Sequence, residues 1–125
     1  MKIRIRGNFV RYRLTQSEVL QLKNDGLVKE ETCFGPGAGQ VFSYVLEADP
    51  NVQHLSASFS DNTMRLALPS REANIWYDSN QVGYEHEMEV MPGVLLKLLL
   101  EKDFACLDDT DEDQSDNYPN PLLAK

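Results

Sequence analysis

The stretch "KIRIRGNFVRYRLTQSEV", residues 2–19, contains two alternating apolar patterns that are out of phase with each other. The apolar positions are odd before the glycine and even after it: Ile3, Ile5, Val10, Tyr12 and Leu14. One flat strand would send these two groups to opposite faces, because side chains alternate along a strand. A two-residue turn at Gly7-Asn8 removes the conflict and predicts a hairpin with these five apolar side chains on one face. A bulge within one long strand is the alternative.

The residues after this hairpin predict a short helix and then two more strands. Thr15 and Glu18 have the spacing of a capping box, and Gly26 is placed to end the helix in a left-handed conformation. Residues 27–34 and 40–49 are then predicted to be strands joined by a glycine-rich connection, and Phe42, Tyr44 and Leu46 alternate in the second strand. The first part of the chain therefore predicts a hairpin, a helix and a second hairpin.

The second part of the chain predicts the same order of elements. Residues 54–68 have the pattern of a hairpin whose turn is Asp61-Asn62. A helix is predicted over 70–79, with Ser70 as its N-cap. Two strands around the Met91-Pro92-Gly93 loop complete the folded part, in a register that places Tyr84, His86 and Met88 on the core face.

The two parts of the chain can be aligned with each other without a gap, and we call this the repeat alignment. It places identical residues on one another: Asn8 on Asn62, Arg11 on Arg65, Leu14 on Leu68, Glu18 on Glu72, Val28 on Val82, Glu31 on Glu85, Gly39 on Gly93, Leu46 on Leu100, Glu47 on Glu101 and Asp49 on Asp103. Turns, caps and apolar phases coincide as well, as internal duplication predicts. We therefore predict two equivalent halves, 1–49 and 55–103, within a single domain over 1–107.

The predicted fold class is α+β, with eight strands in one antiparallel, barrel-like sheet and two short helices against it. Closure into a barrel is favoured because it removes exposed sheet edges. Residues 108–125 are acidic and then contain prolines, and they have no counterpart in the repeat alignment. They are predicted to form a mobile or loosely docked tail, whose start docks through Phe104 and Leu107.

The composition is that of a soluble globular protein, with 42% hydrophobic and 26% charged residues. No apolar run has the roughly eighteen residues of a membrane span, and the charged start lacks a secretory h-region, so a cytoplasmic location is expected. Cys33 and Cys106 are then expected to be free thiols. A net charge of -8 argues against nucleic acid as a partner, and no membrane partner and no cofactor are predicted.

Five basic residues stand close together at the start of this acidic chain: Lys2, Arg4, Arg6, Arg11 and Arg13. The predicted hairpin places Arg4 opposite Arg11, and opposed like charges destabilise a sheet unless something neutralises them. One interpretation is neutralisation by internal acids, either those of the acidic tail or three alternating glutamates of a later strand: Glu85, Glu87 and Glu89. The other is an anion-binding site, in which several arginines bind phosphate or carboxylate oxygens.

Other candidate sites have weaker patterns. The stretch "FGPGAGQ", residues 34–40, lacks the Gly-Lys-Ser/Thr end of a phosphate-binding loop and favours a hairpin connection. The stretch "DDTDED", residues 108–113, lacks the glycine and glutamate of a calcium loop. His86 is expected to be a core residue, and Cys106 has no histidine or aspartate at the spacing of a nucleophile. The cysteines and histidines do not have zinc-site spacing.

Two resemblances bear on function. The stretches "KIRIRGNFVRYRLTQSEV", "FGPG" and "EKDFACL…YPNP" resemble a small uncharacterised bacterial family, and this implies no activity. The predicted architecture also resembles the triphosphate tunnel, or CYTH-like, barrel, an eight-stranded antiparallel duplicated fold. That resemblance implies Glu-x-Glu-x-Lys on the first strand, with glutamates that hold a divalent metal. This chain has Lys2-x-Arg4-x-Arg6 there, so the metal-binding motif is not carried over.

The sequence therefore favours a small cytoplasmic binding protein over an enzyme. Its basic sheet face would bind a phosphate-bearing small molecule or an acidic protein. The alternative is a metal-dependent (tri)phosphate hydrolase in a tunnel-like barrel, which needs glutamates and arginines facing a common cavity. The sequence does not predict an oligomeric state.

Overall fold

The computed structural model describes residues 1–104 and 115–119. Within this part the elements are β1 Lys2–Ile5, β2 Phe9–Leu14, α1 Gln16–Asp25, β3 Leu27–Cys33, β4 Val41–Asp49, β5 Ser56–Ser60, β6 Thr63–Pro69, α2 Ser70–Ile75, β7 Gly83–Met91 and β8 Val94–Lys102. A single 3-10 turn, Ala38–Gln40, lies between β3 and β4. No helix in the described residues is long and apolar enough to cross a membrane.

The strands of the described residues form two four-stranded sheets. Sheet A has the order β1-β2-β8-β7, and sheet B has the order β3-β4-β6-β5. The hairpin partners are antiparallel, whereas the central pairs β2–β8 and β4–β6 are parallel. The prediction of an α+β fold with eight strands and two helices is confirmed, but the prediction of one antiparallel, barrel-like sheet is wrong.

The described strands form no backbone ladder between the two sheets, and the edge strands β5 and β7 contact each other through side chains. On the edge formed by β5 and β7, the Ala57 N–H donates to Met88 Sδ at 3.3 Å. The rings of His54 and His86 stack near the same edge, with centroids 4.6 Å apart. Closure would need backbone acceptors at these positions, and the molecule presents a thioether and imidazole rings instead.

The hydrophobic core lies between the two sheets and under the helices. Its fully buried side chains come from both sheets, from α1 and from the end of α2, and they include Tyr12, Leu14, Leu22, Leu46, Leu66, Leu68, Trp76, Leu98 and Leu100. The Tyr12 hydroxyl donates to the carbonyl oxygen of Met64 at 3.0 Å and so links sheet A to sheet B. Burial raises the pKa of Tyr12, so the hydroxyl keeps its proton and remains a donor.

Local predictions of turns and caps agree with the structure in most places. In β1–β2, Ile5 pairs with Val10 and Arg4 with Arg11, so the opening stretch is a hairpin and not a bulged strand. The capping box at the start of α1 is present, and Gly26 ends the helix with a φ of 73°. The second helix is shorter than predicted and has Pro69, not Ser70, as its N-cap.

The β7–β8 register is also as predicted, with one local difference. Tyr84 pairs with Leu100 and His86 with Leu98. Met91 pairs with Val94, so the loop is two residues long, and a bulge between Glu89 and Met91 absorbs the extra residue.

Corresponding elements of residues 1–49 and 55–103 occupy corresponding places in the sheets. The N–H of Lys97 donates to the carbonyl of Asn8 at 2.9 Å, and the N–H of Ser43 donates to that of Asn62 at 3.0 Å. The repeat alignment places the donor of one bond on the donor of the other, and it does the same for the acceptors. Each half therefore contributes one hairpin to each sheet. A close superposition of the two halves stays a prediction.

The described part of the tail lies against the start of α1. The backbone N–H of Gln16 donates to the carbonyl of Asp116 at 3.1 Å, and the Ser17 hydroxyl donates to the Asp116 carboxylate at 2.5 Å. The Tyr118 N–H donates to the carbonyl of Asp103 at 2.8 Å. Of the two residues predicted to dock the tail, Phe104 contacts Tyr118 with ring centroids 5.7 Å apart, and Leu107 lies outside the described residues. The mobility of the tail stays a prediction.

We expect acid to release residues 115–119 from α1. The hydrogen bonds from Ser17 and Thr15 hold the pKa of Asp116 below its ordinary value of 3.8. A depressed pKa in the folded state stabilises docking above the ordinary value and loses that contribution as the pH falls through the folded value. NMR should therefore show the Ser17 amide shift changing below about pH 4. Asp116→Asn should abolish that change, and an unaltered titration in this variant would contradict the assignment.

Candidate anion-binding face

The five predicted anion-binding residues lie together on the outer face of sheet A. Val10, Tyr12 and Leu14 of β2 are buried toward the core, so the alternate side chains of the strand point away from it. The register pairs Lys2 with Arg13 and Arg4 with Arg11. Arg6 extends the same face, because its backbone exchanges two hydrogen bonds with Phe9 at 3.0 and 3.1 Å.

These side chains border two adjoining clefts. One has a volume of about 240 Å³ and is lined by Lys2, Ile3, Arg4, Arg11 and Arg13. The other has a volume of about 270 Å³ and is lined by Arg4, Arg6, Phe9 and Arg11. Because Arg4 and Arg11 belong to both, the clefts form one continuous basic surface over the β1–β2 hairpin.

Acids of β8 and of the residue after it neutralise part of this surface. Glu101 accepts a hydrogen bond from Arg11 Nε at 2.5 Å and one from Arg13 Nε at 3.1 Å. Asp103 forms an ion pair with Lys2, with Nζ and Oδ2 3.3 Å apart. Glu101 reaches both arginines because it lies beside Arg13 in the parallel β2–β8 register.

The predicted neutralisation by the glutamates of β7 is wrong. Glu85, Glu87 and Glu89 do lie on the outer face of sheet A, but β8 separates β7 from β2. Their register partners on β8 are Leu99, Lys97 and Leu95. Sequence reasoning missed Glu101 and Asp103 as neutralising acids, although the repeat alignment marks both as identical to acids of the first half, Glu47 and Asp49.

One of these ion pairs belongs to the duplicated architecture. In sheet B, Arg65 Nη1 lies 3.2 Å from the Glu47 carboxylate. Arg65 and Glu47 occupy the positions of Arg11 and Glu101 in the repeat alignment. The pair therefore joins β2 to β8 in sheet A and β6 to β4 in sheet B, and its role in both sheets is structural.

The basic residues of β1 and of the turn after it have no basic counterpart in the second half. At the positions of Lys2, Arg4 and Arg6 the second half carries Ser56, Ser58 and Ser60. Because the equivalent edge strand of sheet B forms with serine at these positions, arginine is not required there for sheet A to form. Arg4 and Arg6 are exposed, and within residues 1–104 and 115–119 neither forms an ion pair.

The other candidate sites remain structural features. The glycine-rich connection after β3 forms a 3-10 turn and leads into a strand, not a helix. Cys33 is a free, exposed thiol, and His86 is half-buried and stacked on His54. Among the described residues, no three side chains of the metal-binding types lie close enough to hold a metal ion. Cys106 and residues 108–113 lie outside the described residues.

Comparison with known proteins adds one match. A family model described as a family of unknown function (DUF7009) matches residues 1–122. The comparisons with curated proteins and with solved structures gave no match. The match covers both halves of the domain and part of the tail.

Proposed function

The chain belongs to DUF7009, a family of unknown function, and we propose that it is a binding protein whose basic β1–β2 face holds a multivalent anionic group. The observation that carries this proposal is a pair of exposed arginines, Arg4 and Arg6, which form no ion pair within the described residues and which the second half replaces with serine. Arg4 lies opposite Arg11 in the hairpin, and like charges in this arrangement destabilise a sheet. Their presence is accounted for by a partner that supplies negative charge.

The geometry favours recognition of several oxygens at once. Arg4 and Arg6 are alternate residues of one extended segment, so their Cα atoms are about 6.8 Å apart. Two guanidinium groups at this spacing can each form a bidentate contact with a different phosphate or carboxylate group. Arg13 and Lys2 lie beside them, and each already forms an ion pair, Arg13 with Glu101 and Lys2 with Asp103. Glu101 and Asp103 neutralise Arg11, Arg13 and Lys2 in the absence of a partner, but neither of them forms an ion pair with Arg4 or Arg6 in the described residues.

The tunnel-like hydrolase finds no comparable support. That function needs glutamates and basic residues on a common inner cavity, as in a closed barrel. Here the basic side chains lie on the outer face of a four-stranded sheet, and the space between the sheets holds the apolar core. We therefore propose binding without catalysis.

We expect the double substitution Arg4→Ser/Arg6→Ser to weaken binding of inorganic tripolyphosphate at least tenfold, which corresponds to about 1.4 kcal/mol. Serine is chosen because the second half already carries it at these positions. Arg71→Ser, on the exposed side of α2, is the matched control and should leave the affinity unchanged. Isothermal titration at two salt concentrations measures the effect, and higher salt should weaken binding to the natural protein more than to the double variant.

Two results would reject the proposed function. One is equal affinity of the natural protein and the Arg4→Ser/Arg6→Ser variant for tripolyphosphate and for a glutamate-rich peptide. The other is the absence of binding to both anions at low salt. A melting curve for each variant shows whether the fold has been kept.

A further inference from the structure

The outer face of sheet A has opposite charges at its two edges. We call Arg4 and Arg6 the basic edge, and Glu85 and Glu87 of β7 the acidic edge. Within residues 1–104 and 115–119, neither glutamate of the acidic edge forms an ion pair. Both edges therefore carry charges without an ion pair in the described residues, although Lys97 of β8 is the register partner of Glu87.

The two edges are aligned row by row across the sheet. The ladder of pairs places Arg4, Arg11, Leu99 and Glu85 on one row. The next row contains Arg6, Phe9, Lys97 and Glu87. Each arginine thus has a glutamate on its own row, three strands away. Three strand spacings are about 14 Å, which is too far for direct contact and exceeds the screening length of about 8 Å at physiological salt.

A second copy of the same face can supply the missing partners. Consider a two-fold axis that runs parallel to the strands over the outer face, between β2 and β8, so that the two outer faces are opposed. This axis keeps each row at its own height and exchanges β1 with β7 of the second copy. Arg4 then faces the second copy's Glu85, and Arg6 faces its Glu87, with both contacts repeated by symmetry.

We propose that the chain forms an isologous dimer through the outer face of sheet A, with the basic edge of each copy on the acidic edge of the other. This inference rests on the proposed function, since it names the acidic partner of the basic face as a second copy of this chain. Sheets pack about 10 Å apart, a gap that opposed arginine and glutamate side chains span together. Leu95, whose surface is 51% exposed, and the half-buried Leu99 give the centre of the interface apolar area.

The expected dimer is weak. Four strands of about six residues cover roughly 20 Å by 20 Å, or about 800 Å² over both copies, which is below the roughly 1,200 Å² of standard interfaces and typical of weak, transient association. The net charge of -8 on each copy also opposes association at long range. We therefore expect a dissociation constant of tens of micromolar at physiological salt, so that dimers are seen only at high protein concentration.

Charge reversal tests the interface. Arg4→Glu/Arg6→Glu makes both edges acidic, and Glu85→Arg/Glu87→Arg makes both edges basic. Each variant alone should dimerise at least tenfold more weakly than the natural protein. An equimolar mixture of the two should form a heterodimer, and the variant with all four substitutions should dimerise as the natural protein does. Ser58→Glu/Ser60→Glu, at the equivalent positions of sheet B, is the control and should leave dimerisation unchanged.

Sedimentation velocity over a range of concentrations measures all five samples and the mixture. Three results would overturn the dimer: a natural protein that stays monomeric at about 1 mM, reversed variants that dimerise equally well, or a mixture that stays monomeric. Arg4→Gln/Arg6→Gln replaces the first variant if that one does not fold, with the same expected loss. Tripolyphosphate binding by a protein that does not dimerise would reject this inference and leave the proposed function standing.

Discussion

Replacing Gly83 with alanine is expected to lower the free energy of unfolding by about 3 kcal/mol, because the new methyl group has no room. A Cβ at this position would lie 2.2 Å from the Leu100 carbonyl oxygen and 2.9 Å from the Glu101 Cα. Both neighbours are backbone atoms of β8, a central strand of sheet A that pairs on both sides. Relief would require β7 to move away and break its ladder with β8.

Urea denaturation followed by circular dichroism measures this loss. Gly39→Ala is the matched control, since nothing lies within 4 Å of a Cβ built there. That variant should change stability by less than about 0.5 kcal/mol. Equal denaturation midpoints for Gly83→Ala and the natural protein would show that the close approach of β7 to β8 is wrong.

The local parts of the fold could be predicted from the sequence because their causes are local. The phase change at Gly7-Asn8 determines the first hairpin, and the spacing of Thr15, Glu18 and Gly26 determines the bounds of α1. Each of these signals comes from residues that are close together in the chain. Turn chemistry and capping are sufficient to predict such elements.

The central pairings could not be predicted in the same way. Strands β2 and β8 are parallel neighbours that lie near opposite ends of the domain sequence, and no turn joins them. A parallel contact of this kind depends on how α1 and α2 carry the chain from one sheet to the other. The hydrophobic alternation of the strands is the same in one barrel and in two packed sheets, so the pattern does not distinguish the two arrangements.

The basic residues of the candidate site could be predicted from the sequence, but the acids that neutralise them could not, because strand order is not a local property. The hairpin register placed the basic side chains on one face, as the structure shows. The identity of the neutralising acids depended on strand order, which places Glu101, and not the glutamates of β7, beside Arg13. The contrast between Arg4 and Ser58 is visible in the repeat alignment, but it becomes informative only when both are known to occupy equivalent edge strands.

Reversing the charge at Glu101 is expected to cost more stability than the same reversal at its counterpart in sheet B. Glu101 is 17% exposed and bonded to Arg11 and Arg13, so Glu101→Lys would place a cation between two guanidinium groups. We expect a loss of about 3 kcal/mol, near the lower end for breaking a buried pair. Glu47→Lys faces Arg65 alone, which is 41% exposed, and should cost about 1 kcal/mol.

The difference in the loss of unfolding free energy between Glu101→Lys and Glu47→Lys reports the additional basic charge around Glu101 in sheet A. In sheet B the position of Arg13 is occupied by Ala67, so its outer face lacks the second cation. Thermal unfolding at low and physiological salt should show the gap narrowing as salt screens the added repulsion. Equal losses for Glu101→Lys and Glu47→Lys would mean that Arg13 does not contribute to the charge around Glu101.

Of the two variants, only Glu101→Lys should bind tripolyphosphate more tightly than the natural protein, because it removes an internal competitor from the basic face.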